Sequence, residues 1–168
     1  KYVMALSYEV LKNADKANEL YRELIKENTK KPDVYIKIFA ANQAAKQTDK
    51  AINVLKRGVK NLPENAQLKA LLGSTYLQAG QKEEAEKIIQ SLLALGEKKE
   101  VFNYVGDIYR DASDIAKAEE YYNKSLALDA AQTDAYFGLA STYFNKAVDV
   151  LKEADKVPLD DMTGAYDK

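Results

Sequence analysis

Residues Glu100–Gln132 read EVFNYVGDIYRDASDIAKAEEYYNKSLALDAAQ, and the rest of the chain follows from this stretch. Val101, Phe102, Val105, Ile108 and Tyr109 recur at helical spacing and share one face of a helix. Ala112-Ser113-Asp114 interrupts the stripe, and Ser113 or Asp114 can cap a second helix. There Ala118, Tyr121, Tyr122, Ser125 and Leu126 form the inward face. Gly106 and Ala118 are small residues among bulky ones, as a close helix–helix contact requires. One such hairpin cannot bury its own apolar face and needs copies on either side.

The copies are present. Gly73, Tyr76 and Ala85 lie 33 positions before Gly106, Tyr109 and Ala118, while Ala140 and Tyr143 lie 34 after Gly106 and Tyr109. Ala51 and Ala17 continue the series upstream of Ala85 in steps of 34, and Leu62-Pro63 closes its unit where Asp129-Ala130 closes the first. A small residue, Tyr, Ala and a terminator at this period resemble the tetratricopeptide repeat family over about residues 1–145. The resemblance implies an all-α, right-handed α-solenoid of antiparallel helix pairs. It forms a single domain over residues 1–168, with repeats at 1–31, 32–65, 66–98, 99–132 and a divergent, incomplete 133–168.

Composition narrows the function classes. The chain has 25 basic and 26 acidic side chains, a net charge of −1, so no basic surface points to nucleic acid. No apolar run is long enough to span a bilayer. There is no His and no Cys, which removes the commonest general base, the commonest metal ligand, thiol chemistry and disulfides. No phosphate loop or nucleophile motif is present, so we expect no catalysis, cofactor or metal. Asp155, Asp160 and Asp161 lack the ligand spacing of a calcium loop and read as solvated. Asn123-Lys124-Ser125 matches a glycosylation acceptor but falls inside a packed helix. Lys1 stands inside an apolar-periodic stretch, the expected look of a fragment or a processed chain. Repeats with long helices and many Lys, Tyr and Asn resemble bacterial proteins, exported envelope ones included.

Taken in order, Met4, Ala5 and Tyr8 make the inner stripe of the first helix. Ala17, Leu20, Tyr21, Leu24 and Ile25 carry the second. In the next repeat Pro32 opens a helix, where its missing N–H costs nothing. Here Phe39 and Asn42 stand where the family has a small residue and an aromatic, so this helix pair should sit farther apart than the third. Gly80 separates the helices of the third repeat and Gly96 suits a left-handed cap after its second helix. Gly73 should pack beside Ala85, and Gly106 beside Ala118. From Thr133 the spacing of Tyr136, Leu139, Ala140, Tyr143, Ala147, Val148, Leu151 and Ala154 continues without a break. It predicts one long helix that ends near Val157-Pro158 and exposes Val148 and Leu151. Leu159–Lys168 reads as a loop or the start of a further helix.

Tyr8, Tyr21, Tyr35, Tyr76, Tyr109, Tyr122, Tyr136 and Tyr143 fall on core positions and read as packing. The family resemblance implies instead that first helices line a concave groove for a protein or peptide ligand. Its groove positions carry over to Tyr2 and Leu6; to Ile36, Lys37, Ala40 and Gln43; and to Leu71, Ser74 and Gln78. In the last two repeats they are Asn103, Tyr104, Asp107 and Arg110, then Phe137, Ser141, Phe144 and Asn145. Among these, Tyr104, Phe137 and Phe144 are aromatics off the core stripe, the residue type that anchors partners. The family's carboxylate clamp would need Lys, Asn and Arg at set positions. These hold Tyr2, Leu6, Lys37, Gln67 and Leu71 in one window and Ile36, Ala40, Leu71, Glu100 and Tyr104 in the next. Neither fits a terminal carboxylate. The expected function is a non-catalytic scaffold that binds a protein or peptide. The alternative is self-association through the open C-terminal end.

Overall fold

A computed structural model describes residues 1–156. Among these there are nine α-helices and no strand. They are α1 (Tyr2–Val10), α2 (Ala14–Lys26), α3 (Pro32–Ala44), α4 (Thr48–Asn61), α5 (Ala66–Gln78), α6 (Lys82–Leu93), α7 (Lys99–Asp111), α8 (Ile115–Leu128) and α9 (Thr133–Ala154). Successive helices pair as four antiparallel hairpins, and α9, of 22 residues, packs on α7 and α8. None of the helices is long and apolar enough to cross a membrane.

One turn, repeated four times, sets this geometry. Lys12, Lys46, Gly80 and Ser113 all take a positive φ, between 55° and 74°, at equivalent positions just beyond the first helix of each pair. In each case the next residue's N–H closes back on a carbonyl five residues earlier: Asn13 to Tyr8, Gln47 to Asn42, Gln81 to Tyr76 and Asp114 to Tyr109. These bonds satisfy carbonyls that a helix end leaves open. Only the third repeat uses glycine, so in the other three an L residue is held in a strained conformation by its surroundings. Asn13 and Asp114 then cap the following helices, accepting from the N–H groups of Lys16 and Lys117.

First helices touch along the array, α3 with α5, α5 with α7 and α7 with α9, whereas second helices meet only first helices. The first helices therefore form the inner, concave wall and the second helices the outer, convex one. The core runs between them, from Ala5, Tyr21, Tyr35, Leu55 and Leu72 to Leu92, Val105, Ile108, Tyr122 and Ala135.

Several contacts differ from the sequence expectation. A Cβ on Gly106 would stand 2.7 Å from Tyr122 Cε1, so Gly106 makes room for the Tyr122 ring rather than packing on Ala118. Gly73 faces Ile108 of α7, at 2.9 Å, and Ile88 rather than Ala85. α3 and α4 pack less extensively than α5 and α6, the direction expected from Phe39, although Gly58 lies against the Tyr35 ring, and α3 meets α5 far less extensively than α5 meets α7. A half-buried phenyl ring at the position of Gly73 accounts for that looser step. Met4, placed on the inner stripe, is exposed. Tyr136 and Tyr143 are 54% and 46% exposed rather than core, because no second helix covers α9 within the described residues. Gly96 takes its positive φ in the loop, three residues past the end of α6. Val148 is half-buried and Leu151 exposed. Val157-Pro158 and Leu159–Lys168, with Asp160 and Asp161, lie outside the described residues.

Gly138 of α9 closes over the same Tyr122 ring, its added Cβ falling 2.8 Å from the hydroxyl oxygen and nearer still to Cζ and Cε1. Gly138→Ala should therefore cost about 1–3 kcal/mol, the usual range for overpacking. Urea denaturation should show a lower midpoint with an unchanged slope. Combining it with Tyr122→Leu should remove most of the added cost.

Candidate partner-binding groove

The concave wall is richest in functional side chains at α7 and α9. Asn103, Tyr104, Asp107 and Arg110 recur at helical spacing on the face of α7 that turns toward α9. With Glu100, and with Asp134 and Phe137 from the first turns of α9, they line a cleft of about 320 Å³. Tyr104 is half-buried, and Phe137 is 70% exposed. The cleft thus pairs two aromatic surfaces with three carboxylates and one guanidinium.

Its polar floor is fixed by a network across three helices, α5, α7 and α8. Tyr122 reaches through from α8 and donates its O–H to Asp107 Oδ1 at 2.7 Å. Arg110 Nη1 donates to the same carboxylate oxygen at 2.6 Å and to the Tyr122 hydroxyl oxygen at 3.1 Å. The Nε and Nη2 groups of Arg110 donate to Asp111 Oδ1, at 3.2 and 2.9 Å. Asp111 Oδ2 accepts in turn from Ser74 Oγ of α5 at 3.1 Å. Burial pushes the Asp107 carboxyl above its usual range, and the Tyr122 hydrogen bond and Arg110 charge pull it back. Burial, followed by the Asp107 charge, pushes the Tyr122 phenol strongly up, so it stays a donor. Charge-assisted bonds of this kind hold side chains in one orientation before any ligand arrives.

The remaining groove positions fare differently. Ser74 and Asn103 are buried, at 8% and 6% exposure; Ser74 is committed to Asp111, while Asn103 Oδ1 has no partner among the described residues. Lys37 is half-buried and ion-paired with Glu9 at 2.8 Å, its Nζ 5.7 Å from the ring centre of Tyr21. Gln43 and Ser141 are half-buried, and Asn145 is exposed. Phe144 is 68% exposed, farther along α9 and outside the lining of the cleft. Asp111, Asp134 and the hydroxyl of Tyr122 were not among the residues carried over, and Glu100 was named only as a clamp position. Tyr122 had a visible signal, since Leu55 and Ile89 hold its position in the second and third repeats. A hydroxyl there needs a polar partner.

Tyr122→Phe should remove the link between core and groove. We expect a loss of about 1–3 kcal/mol, since the bond lost is to a charged group. The Asp107 carboxyl should titrate higher than in the parent protein, because a bond that favours its ionised form is gone. Carboxyl carbon shifts followed by NMR against pH would read both the residue and the direction.

Comparison with known proteins agrees with this architecture. A tetratricopeptide repeat model matches residues 11–73 and 42–103, and a second matches residues 101–132. No curated protein matches this chain. Among solved structures, MamA is 21% identical, with a TM-score of 0.56 over 85% of this chain and 84% of that one. MamA 41-end from Desulfovibrio magneticus RS-1 is 14% identical, with a TM-score of 0.54 over 98% and 94% of the two chains. BtubC (BKLC) from P. vanneervenii is 20% identical, with a TM-score of 0.55 over 99% and 80%. At these identities the likeness is one of fold. The family matches, the paired helices and the fourfold turn make this chain a member of the tetratricopeptide repeat family, whose repeats are protein-interaction scaffolds and typically non-catalytic.

Proposed function

We propose that this chain is a non-catalytic scaffold that binds an extended peptide or a partner's helix in its concave groove. The cleft between α7 and α9 is its main contact. The observation that carries this reading is the placement of Tyr104 and Phe137 across a 320 Å³ cleft whose polar floor is already ordered. Aromatic anchors supply buried area, and fixed polar groups set register. Phe144, Ser141 and Asn145 extend the surface along α9, and Lys37, Gln43 and Ser74 continue the wall through the earlier repeats. Changing Tyr104 and Phe137 together to Ala should weaken partner binding by roughly tenfold or more. Helical content should stay intact, because neither ring belongs to the core. A double variant that binds normally would remove the cleft from the reading.

A second reading, self-association, is favoured by one observation. Tyr136, Tyr143 and Leu151 are exposed on α9, the first two at positions buried or half-buried in earlier repeats. Such a face is covered when another helix stacks on it. Replacing Tyr136 and Tyr143 with Glu should abolish any concentration-dependent rise in mass seen by light scattering. A parent protein of constant monomer mass across concentrations would count against this reading.

A further inference from the structure

The convex side of the second repeat carries a cleft of about 400 Å³ between α2 and α4, floored by α3. Its origin lies in the repeat register. Tyr76 and Tyr109 occupy one position in the third and fourth repeats, and both rings are buried. Tyr8 and Tyr143 hold that position in the first and fifth, but in the second it is Asn42. Asn42 is buried as well, at 4% exposure, and lines the cleft. A carboxamide fills much less space than a phenol, so the floor left behind is Ile25, Ile38 and Val54.

The rim is of one sign. Arg22, Lys26, Lys50 and Arg57 surround this floor, and among the described residues no carboxylate lines it. None of the four belongs to an ion pair among the described residues. Arg57 is also held in place, its Nη2 donating to the carbonyl oxygen of Lys26 at 2.9 Å and to Asn28 Oδ1 at 3.0 Å. Both acceptors are neutral, so its charge stays uncompensated.

One repeat further on, the cleft at the corresponding place is built otherwise. Tyr76 stands for Asn42 and Glu84 for Lys50, and Asp49 joins Lys56 to give a lining of mixed sign. The open apolar floor with a purely cationic rim is not carried into the third repeat. Like charges gathered around a low-dielectric surface raise the local potential and attract the opposite sign.

We propose that this convex cleft is a second recognition site, which takes an acidic protein segment bearing one large apolar side chain. The side chain enters over Ile25, Ile38 and Val54, and carboxylates flanking it meet Arg22, Lys26, Lys50 and Arg57. The Asn42 carboxamide offers both a donor and an acceptor, which suits a peptide backbone better than an acyl chain. The cleft volume is at the small end for a ligand pocket and fits one side chain rather than a whole cofactor. Opposed charges bring the segment in and fix its register, while the apolar side chain supplies the anchor.

The test uses the full chain and a capped peptide, Glu-Glu-Phe-Glu-Glu, with two controls, one carrying Ala for Phe and one carrying Lys for every Glu. Binding is followed by amide shifts on isotope-labelled protein. The Glu/Phe peptide should shift amides around Asn42, Lys50 and Val54, with affinity falling as salt rises. The Ala control should bind about tenfold more weakly or worse, and the Lys control should not bind. Asn42→Tyr, which restores the ring of the neighbouring repeats, should abolish binding and leave the fold at least as stable. Lys50→Glu, which copies Glu84, should weaken binding by roughly tenfold or more even if Asn42→Tyr fails to fold. Equal binding of the Lys control, unchanged binding in Lys50→Glu, or no shifts at this cleft would overturn the proposal. Binding to anionic vesicles without binding to the peptide would overturn it too. The Tyr104→Ala, Phe137→Ala double variant should bind this peptide normally, so failure of the groove reading and failure of this one are separable.

Discussion

The Tyr122 ring wedged between Gly106 of α7 and Gly138 of α9 is the contact on which the α7–α9 end of this solenoid depends. The ring belongs to α8, a second helix, yet its hydroxyl emerges among the side chains of the concave wall. Two absent β-carbons make that passage possible. A residue with any side chain at either site would push α7 and α9 apart or turn the ring away. The groove that these helices form is then only as well defined as this buried contact.

From the phenol outward, order is passed on by hydrogen bonds rather than by apolar packing. Tyr122 holds Asp107, Asp107 holds Arg110, and Arg110 holds Asp111, which reaches Ser74 two helices away in sequence. Core and groove share one set of positions, so a ligand at the proposed site on Tyr104 and Phe137 would meet a surface that need not reorganise. Cutting the entropy lost on binding is a general route to affinity. At the other end Tyr21 holds the register of Tyr122 beneath the Lys37–Glu9 pair, but the Tyr21 hydroxyl has no hydrogen-bond partner among the described residues. That pair lies on α1 and α3, which do not touch in the way α7 and α9 do.

The repeats tolerate substitution because the turn, not the interior, is their common element. Phe39 and Asn42 break the interior pattern of the second repeat, yet Lys46 takes the same left-handed conformation as Lys12, Gly80 and Ser113. The hairpin turn is preserved while the packing around it changes. Phe39 loosens the step from α3 to α5, and Asn42 leaves an open floor on the outer wall. Variation inside a repeat thus becomes variation on a surface, which is where a scaffold distinguishes its partners.

The sequence alone determined the helix pairs, their order, the period and the long last helix. Each of these is set by residues within a turn or two of one another, through stripe spacing, breaks and caps. The family resemblance, read at the same positions, pointed to Tyr104, Phe137 and Arg110 as candidate groove residues, and all three line the cleft between α7 and α9. Tertiary structure decided what meets what across helices. Gly106 receives Tyr122 rather than Ala118, and Tyr136 and Tyr143 are exposed for want of a covering helix among the described residues. Ser74 is used up on Asp111, and the space at Asn42 is open. Such contacts depend on helix rotation and on separations of a few ångströms, which packing over the whole array sets. No window of sequence contains that information, because the partners lie a full repeat apart and their distance is a property of every repeat between the ends.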